Sequence, residues 1–472
     1  MGRSAEKREL RRAMGFLDLL LFFVITGFNV IWLPKAAEAG PVAITFWVLG
    51  GLAFYLPLAL CVLELTSRHP GEGGIYIWTR QAFGDFPAFM CGWTYWTSLL
   101  PFFPTVLAFI AANALHVGGD RWQHLSANQS YVVGTSLLCL ALVTVPNLVG
   151  LDMGKWVHNV GAVGTWLPAL GLMVLACIAW SRHGSATEMP ASSFVPHGSV
   201  RVLILWSVFA ASLTGVEAAS ILGDEIKDVR RIFPPALILG GLLCVVTFIL
   251  GTLALLLVLP PQEVTGLDGF MEAFERAASR VGLGGLAPVV AATVVVGLIG
   301  KVAAWMAAGA RLPFVAGLDR RLPAAFARIH PRWGTPYVSF LVQVSLTAAL
   351  VLLGQAGTTV KGAYDVLMAM MVIPTIIPFL FLFAAMIRLQ AETVGPEVTR
   401  VPGGRPVAIV LALLGFVSSL SFLVLSVIPP EAEPNKVMYV AKVVGLSIVL
   451  IAGGIGAYLT GRRRTDRSSH DS

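Results

Sequence analysis

The sequence predicts an all-α polytopic membrane protein, and three observations predict it. Apolar residues make up 56% of the 472 and charged residues only 12%. The apolar positions gather in many runs of about eighteen residues or more, the length a helix needs to cross the hydrocarbon of a bilayer. Those runs do not alternate apolar with polar as a barrel strand would, and lipid admits only helices and closed barrels.

The elements follow in order. Residues 1–15, MGRSAEKRELRRAMG, are basic and lack a small-residue cleavage site, so they read as a cytoplasmic tail rather than a signal peptide. Twelve spans are expected at 16–39, 42–66, 86–116, 130–148, 156–181, 201–225, 233–259, 286–311, 336–354, 362–387, 407–428 and 437–459, with a second tail at 460–472. On this reading the cytoplasmic segments hold 23 of the 33 Lys and Arg, eight lie at external ends, and Lys35 and Lys301 lie inside spans. That asymmetry places both termini in the cytoplasm and the protein in the cell membrane, and it makes the span count even. The net charge of +7 is then accounted for by loops facing anionic lipid, with no nucleic acid needed.

Between spans 7 and 8, TGLDGFMEAFERAAS spaces Phe270, Phe274 and Ala278 as one face of a helix, expected as a short solvated helix capping the outer surface. The five cysteines, Cys61, Cys91, Cys139, Cys177 and Cys244, fall in apolar stretches without metal-ligand spacing. They read as small hydrophobes, and no metal or cofactor is expected. The chain lacks G-x-S-x-G, H-E-x-x-H and P-loop motifs, which argues against an enzyme.

The chain repeats itself once. VITGFNVIW (24–32) in span 1 and SLTGVEAAS (212–220) in span 6 share an order, Thr26-Gly27-Phe28-Asn29 answering to Thr214-Gly215-Val216-Glu217. Five spans apart, the two run in opposite directions, as inverted copies would: 16–181 for the first repeat and 201–387 for the second, with 407–459 adding two helices. A helix broken in mid-membrane exposes N–H groups at the start of its second half and carbonyls at the end of its first. In hydrocarbon those groups need a partner. A zwitterion supplies both, its carboxylate on the N–H groups after Thr26-Gly27 and its ammonium on carbonyls around Ser212 to Thr214. The competing account is that Gly and Thr only let helices pack closely.

Charges inside spans are costly and point to function. Lys301 stands ten residues before Arg311, about 15 Å from the cytoplasmic end at 1.5 Å per residue. It either couples transport, by holding the place of a sodium ion or by exchanging a proton, or forms a structural ion pair or snorkels. Glu217 pairs with Lys301, carries a proton, or caps the inner half of span 6. Asp18 is expected at the interface beside an arginine, Lys35 and Glu38 in a surface pair, and His158 at the cytoplasmic interface. Trp93, Tyr95 and Trp96 of span 3 and Trp305 of span 8 either stack on a substrate cation or serve as packing.

Four stretches resemble the amino acid/polyamine/organocation (APC) superfamily of secondary transporters. TGFNVIWLP is similar to its broken first helix. RHPGEGGIYIWTRQAFGDFPAFMCGW places Pro70, Gly73, Gly74, Tyr76 and Gly84 at family positions in the loop after span 2. TGVEAASILGDEIKDVRRIFPPA resembles the sixth helix with Gly215 and Glu217, and ARLPFVAGLDRRLPAAFARIHPRWGTP the segment after span 8.

The resemblance implies a five-plus-five inverted repeat with broken helices 1 and 6, alternating access, and a substrate site between spans 1, 3, 6, 8 and 10. Its substrate candidates are Thr26, Gly27, Phe28, Asn29, Ser212, Thr214, Gly215, Val216, Trp96 and Trp305. Three departures stand out. Gly27-Phe28-Asn29 replaces the usual Gly-small-Gly, although Asn tolerates left-handed backbone. The span-5 lysine of proton-coupled relatives is missing beyond Lys155. The aromatic gate position is Ala211, which leaves Phe209 as the gate candidate. The expected function is secondary transport of an amino acid, in the inward direction, with coupling to protons or sodium open. The alternatives are transport of a polyamine or other organic amine, and a non-transporting membrane sensor.

Overall fold

The structure, a computed structural model, describes residues 10, 12–126, 128–196, 206, 209, 212–264, 269–354, 360–429 and 435–470. Among these residues nine helices are long and apolar enough to cross a membrane, beside the shorter apolar helices Phe16–Gly27 and Ile373–Leu389. Ala211, the first part of expected span 6 (201–205) and most of the basic tail lie outside the described residues.

Span 1 comprises Phe16–Gly27 and Trp32–Ala37, separated by an unwound turn. Span 2 runs Val42–Arg68, with a π-helical turn at Gly51–Tyr55. The loop expected after it contains a helix of its own, Ile75–Phe83, bounded by glycines: Gly71, Gly73 and Gly74 before it and Gly84 after it all have positive φ. Span 3 follows as Asp85–Gly118 and span 4 as Gln129–Val149. Span 5 begins at Leu151 rather than 156, because Gly150, at φ 113°, turns the chain in one residue. Span 7 is Val229–Val258, span 8 Ala287–Leu318, span 9 Tyr337–Gly354, span 10 Val360–Leu389, span 11 Gly404–Ser426 and span 12 Lys436–His470.

Span 6 differs most from expectation. Residues 206, 209 and 212 are helical, but beyond the break the chain forms 3₁₀ turns at Ala218–Ile221 and Gly223–Glu225 instead of a half-helix. Their hydrogen bonds run three residues, as in Ser220 N–H to Glu217 O at 3.0 Å and Leu222 N–H to Ala219 O at 3.2 Å. Gly223 packs so tightly on the loop after span 2 that a Cβ there would stand 2.3 Å from the Gly71 carbonyl oxygen. The segment is thus shaped by its neighbour rather than by helix propensity.

Spans with polar residues satisfy them locally, as hydrocarbon requires. Thr94, Thr105, Thr165 and Ser419 each donate to the carbonyl four residues earlier, at 2.8, 2.8, 2.9 and 2.8 Å. Span 8 is central, packed against spans 3 and 5, while the inner half of span 1 lies against spans 5 and 7. Spans 5 and 8 meet backbone to backbone: a Cβ on Gly161 would lie 2.5 Å from Gly300 Cα, and one on Gly297 2.6 Å from the Thr165 nitrogen. Only small residues permit that approach.

The amphipathic helix Gly269–Arg280 is present, but Phe270, Phe274 and Ala278 are fully buried against the bundle, so it is docked rather than merely solvated.

At the end of the bundle where the chain starts, backbone ties join distant segments. The N–H groups of Ala13 and Met14 donate to Glu225 O, Lys227 N–H to Met14 O, and Gly73 N–H to Ile221 O. This is the basic end of the bundle, to which Arg311, Arg320, Arg321, Arg328 and Arg332 also belong.

Candidate functional site

The break in span 1 follows from its residues. Asn29 Oδ1 accepts the Ile31 N–H at 3.2 Å, offering the backbone an alternative to the helix. Pro34 has no N–H to give to Val30 O, which weakens a continuous helix at that point. Phe16–Gly27 therefore ends with exposed carbonyls, and each meets something different. Val24 O accepts the Phe28 N–H at 2.9 Å. Ile25 O accepts a hydrogen bond from Lys301 Nζ. Thr26 O lies against Gly215.

That last contact joins the two breaks. Gly215 has φ 115°, and a Cβ there would sit 2.5 Å from Thr26 O and 3.2 Å from Gly27 Cα. On the far side of the span-6 break, Glu217 turns back: its Oε2 accepts the Gly215 N–H at 2.9 Å and its Oε1 accepts the Tyr95 hydroxyl at 2.7 Å. Glu217 and Lys301 are both about 1% exposed. They do not pair with each other. The carbonyl end of span 1 holds the ammonium, and an amide with a phenol holds the carboxylate, so each buried charge has its own partner.

Around the two breaks lies a cavity of about 760 Å³, its open space included. Span 1 contributes Thr26, Gly27, Asn29 and Trp32, and span 6 contributes Ser212, Thr214 and Glu217. The walls are Tyr95, Ser98, Leu99 and Phe102 of span 3, Lys301 and Trp305 of span 8, and Met371, Thr375 and Phe379 of span 10. The Phe102 and Trp305 rings meet edge to face at 5.8 Å between centroids. Among the described residues, the peptide N–H groups of Asn29 and Val30 meet no backbone acceptor, as at an interrupted helix.

Several candidates lie elsewhere. The Phe28 side chain does not enter the cavity; it is buried against Phe248 at 5.0 Å, and Phe248 stacks on Trp47 at 4.4 Å. The phenylalanine that replaces the family's small residue therefore does not line the cavity. Phe209 also faces Trp47, at 4.5 Å, in the same aromatic group and not at the cavity wall. Trp96 donates to Gln343 Oε1 at 3.0 Å and faces a smaller space beside Tyr76. Trp93 donates to Leu450 O at 2.8 Å. Gly215 and Val216 form the backbone behind the cavity rather than its lining, both buried.

Outside the cavity, Asp18 pairs with Lys155 at 3.5 Å and accepts from Asn159 at 2.8 Å, and among the described residues it pairs with no arginine. Lys35 and Glu38 pair at 2.7 Å. His158 is not interfacial. It is 1% exposed, with its ring at 5.6 Å from Phe22, because span 5 starts early and carries it into the bundle.

Trp32, Ser98, Leu99, Phe102, Met371, Thr375 and Phe379 are not among the residues singled out from the sequence, and Tyr95 is singled out only for stacking on a cation or for packing. Their signal was spacing: Tyr95, Ser98, Leu99 and Phe102 fall at i, i+3, i+4 and i+7, and Met371, Thr375 and Phe379 at i, i+4 and i+8, each one face of a helix.

Comparison with known proteins adds the following. A family profile described as amino acid permease matches residues 16–451. The chain is 28% identical over 429 residues to an uncharacterized transporter of Legionella pneumophila, covering 90% of this chain and 92% of that one. It is 26% identical over 430 residues to a glutamate/gamma-aminobutyrate antiporter of Lactococcus lactis, covering 88% and 84%. It is 25% identical over 365 residues to the serine/threonine exchanger SteT of Bacillus subtilis, covering 74% and 78%. Among solved structures it is similar to MhsT in complex with L-phenylalanine, with a TM-score of 0.63 at 12% identity over 88% of this chain and 98% of that one. That likeness shows the fold, an inverted repeat with interrupted helices.

Proposed function

The chain belongs to the amino acid permease family of the APC superfamily and moves amino acids across a membrane, and on that premise we propose that its substrate is a zwitterionic amino acid with an uncharged side chain. The observation that carries this reading is the state of the two charges at the cavity. Glu217 is engaged by Tyr95 and the Gly215 N–H, and Lys301 by Ile25 O. Among the described residues, the rest of the wall is neutral: Trp32, Leu99, Phe102, Trp305, Met371 and Phe379, with Ser98 and Thr375. A charged side chain buried there would lack a counter-charge, whereas an apolar one gains about 25 cal/mol per Å² of surface removed from water.

The head group goes to the breaks, its carboxylate on the Asn29 and Val30 N–H groups and its ammonium toward Ser212 and Thr214. Residues 16–181 and 201–387 act as the two repeats, and the basic end, with both chain termini, faces the cytoplasm of a cell membrane. Lys301 fills the carbonyl end of the first half-helix with a fixed ammonium, so transport needs no sodium there.

The test is uptake into liposomes bearing the purified protein, in sodium-free buffer. Labelled leucine, methionine or phenylalanine is expected to enter at least about tenfold faster than glutamate, gamma-aminobutyrate or arginine, the factor that about 1.4 kcal/mol provides. Equal or preferred transport of a charged amino acid overturns the side-chain reading, and transport of amines alone overturns the zwitterion.

A further inference from the structure

Ten residues beyond Lys301 on span 8, toward the cytoplasmic end, Arg311 meets two carboxylates that arrive from different parts of the chain. Glu72 lies in the loop after span 2 and Glu225 at the exit of span 6, and all three side chains are buried, at 5%, 3% and 3% exposure for Glu72, Glu225 and Arg311. The guanidinium is committed to one of the two. Arg311 Nε donates to Glu225 Oε1 at 2.6 Å, Nη2 is 2.6 Å from the same oxygen, and Nη1 donates to Ala307 O. Glu72 Oε2 accepts the Asp224 N–H at 3.3 Å. Its Oε1, 3.3 Å from Arg311 Nε, is buried and accepts no hydrogen bond among the described residues, because that N–H is directed at Glu225.

We propose that Glu72 and Glu225 bind one proton between them while the cytoplasmic end is closed and release it to water when that end opens. Charge balance supports this. One cation faces two acids in a dry setting, and two carboxylates at such a site do not both ionise. Among the described residues, the other charges nearby do not supply a second cation. Asp224 adds a negative group from the span-6 exit, Lys155 of span 5 is already paired with Asp18 of span 1, and His158 of span 5 is buried with its ring against Phe22. Burial, then the neighbouring Glu225, holds the Glu72 carboxyl well above the ordinary carboxylate range.

The site is tied to closure by the backbone around it. The carbonyl of Glu225 holds the N–H groups of Ala13 and Met14, and the loop bearing Glu72 is held by Gly73 N–H to Ile221 O. Moving the start of span 1 and the exit of span 6, with the loop bonded to it, away from Arg311 on span 8 hydrates the two acids and returns each toward its ordinary acidity. The O–H bond of one carboxylic acid breaks, and the proton leaves to cytoplasmic water. The inference rests on alternating access but on neither the identity of the amino acid nor the role of Lys301.

The experiment therefore uses the full-length protein without any amino acid. Spin labels on Arg12→Cys and Arg332→Cys, in a Cys177→Ser background, report the opening of the cytoplasmic end by pulsed electron resonance from about pH 6 to about pH 9, above the ordinary glutamate value of about 4.3. The ratio of open to closed molecules is expected to rise with pH, up to about tenfold per unit, since closing takes up one proton. In Glu72→Gln and Glu225→Gln, whose amides stand in for the protonated acid, the rise is expected to disappear. A flat profile in the unsubstituted site, or an unchanged slope in both variants, overturns the proposal. If a glutamine variant does not fold, the titration with both glutamates present still decides, because its slope reads the same proton.

Discussion

Gly215 Cα rests against the carbonyl of Thr26, so that the broken turn of span 6 and the broken turn of span 1 touch through bare backbone. A side-chain carbon at 215 would lie 2.5 Å from that oxygen, at a φ of 115° that L residues avoid. Gly215→Ala is expected to cost about 1 to 3 kcal/mol of stability through strain alone and to bring uptake to background. Thermal unfolding in detergent and liposome uptake check the two effects. An alanine variant with unchanged melting temperature and uptake would contradict the contact.

Lys301→Ala removes the donor on Ile25 O and leaves a cation-sized space beside the carbonyl end of a half-helix. Uptake in sodium-free buffer is expected to fall by about tenfold or more, corresponding to about 1.4 kcal/mol or more, and sodium is expected to restore part of it. Paired assays in sodium and choline buffers measure this. Full, sodium-indifferent uptake by the variant would sink the fixed-cation role.

Tyr95 and Glu217 form a buried hydrogen bond across spans 3 and 6 at 2.7 Å. Tyr95→Phe leaves Glu217 with the Gly215 N–H, so the loss is that of one hydrogen bond to a charged group, about 1.5 to 3 kcal/mol. Glu217→Ala frees both donors and is expected to cost more. In a double-mutant cycle the Tyr95→Phe effect on substrate affinity should vanish when Glu217 is already Ala. Additive effects would show that the pair does not act together.

Trp305→Ala removes the ring that faces Phe102 at 5.8 Å. The apparent KM for phenylalanine is expected to rise by roughly ten- to hundredfold, as about 1.5 to 3 kcal/mol of apolar contact is lost, with a smaller change for alanine. Competition assays across amino acids of graded size check it. Equal losses for large and small substrates would move Trp305 from the side-chain wall to general packing.

The breaks could be read from the chain because Gly and Asn inside an apolar run conflict with a continuous helix, and the conflict recurs five spans later. Which way each side chain points could not. Phe28 sits within the break, yet its ring turns to Phe248, and whether a residue of an unwound turn faces inward depends on torsions that no periodicity fixes. The sequence points to Trp96 as a substrate residue, whereas Tyr95 lines the cavity, a difference of one residue and so about 100° around the helix. The 3₁₀ form of residues 218–225 depends on the close approach of Gly71, about 150 positions away in the chain. The meeting of Glu72, Glu225 and Arg311 was hidden for the same reason: each is unremarkable in its own segment, and only packing puts two acids on one base.

The seam between Gly161 and Gly300 has a consequence for where variation can accumulate. Lys301 is the residue next to that seam, so the depth of its ammonium relative to Ile25 is set by main-chain atoms of two helices in contact, with no side chain between them to adjust. The pair acts as a fixed gauge block. Lineages that retune what is carried can reshape Met371, Thr375 and Phe379 on span 10 one atom at a time, whereas a single methyl at 161 or 300 would shift the reference from which every other distance in the site is set.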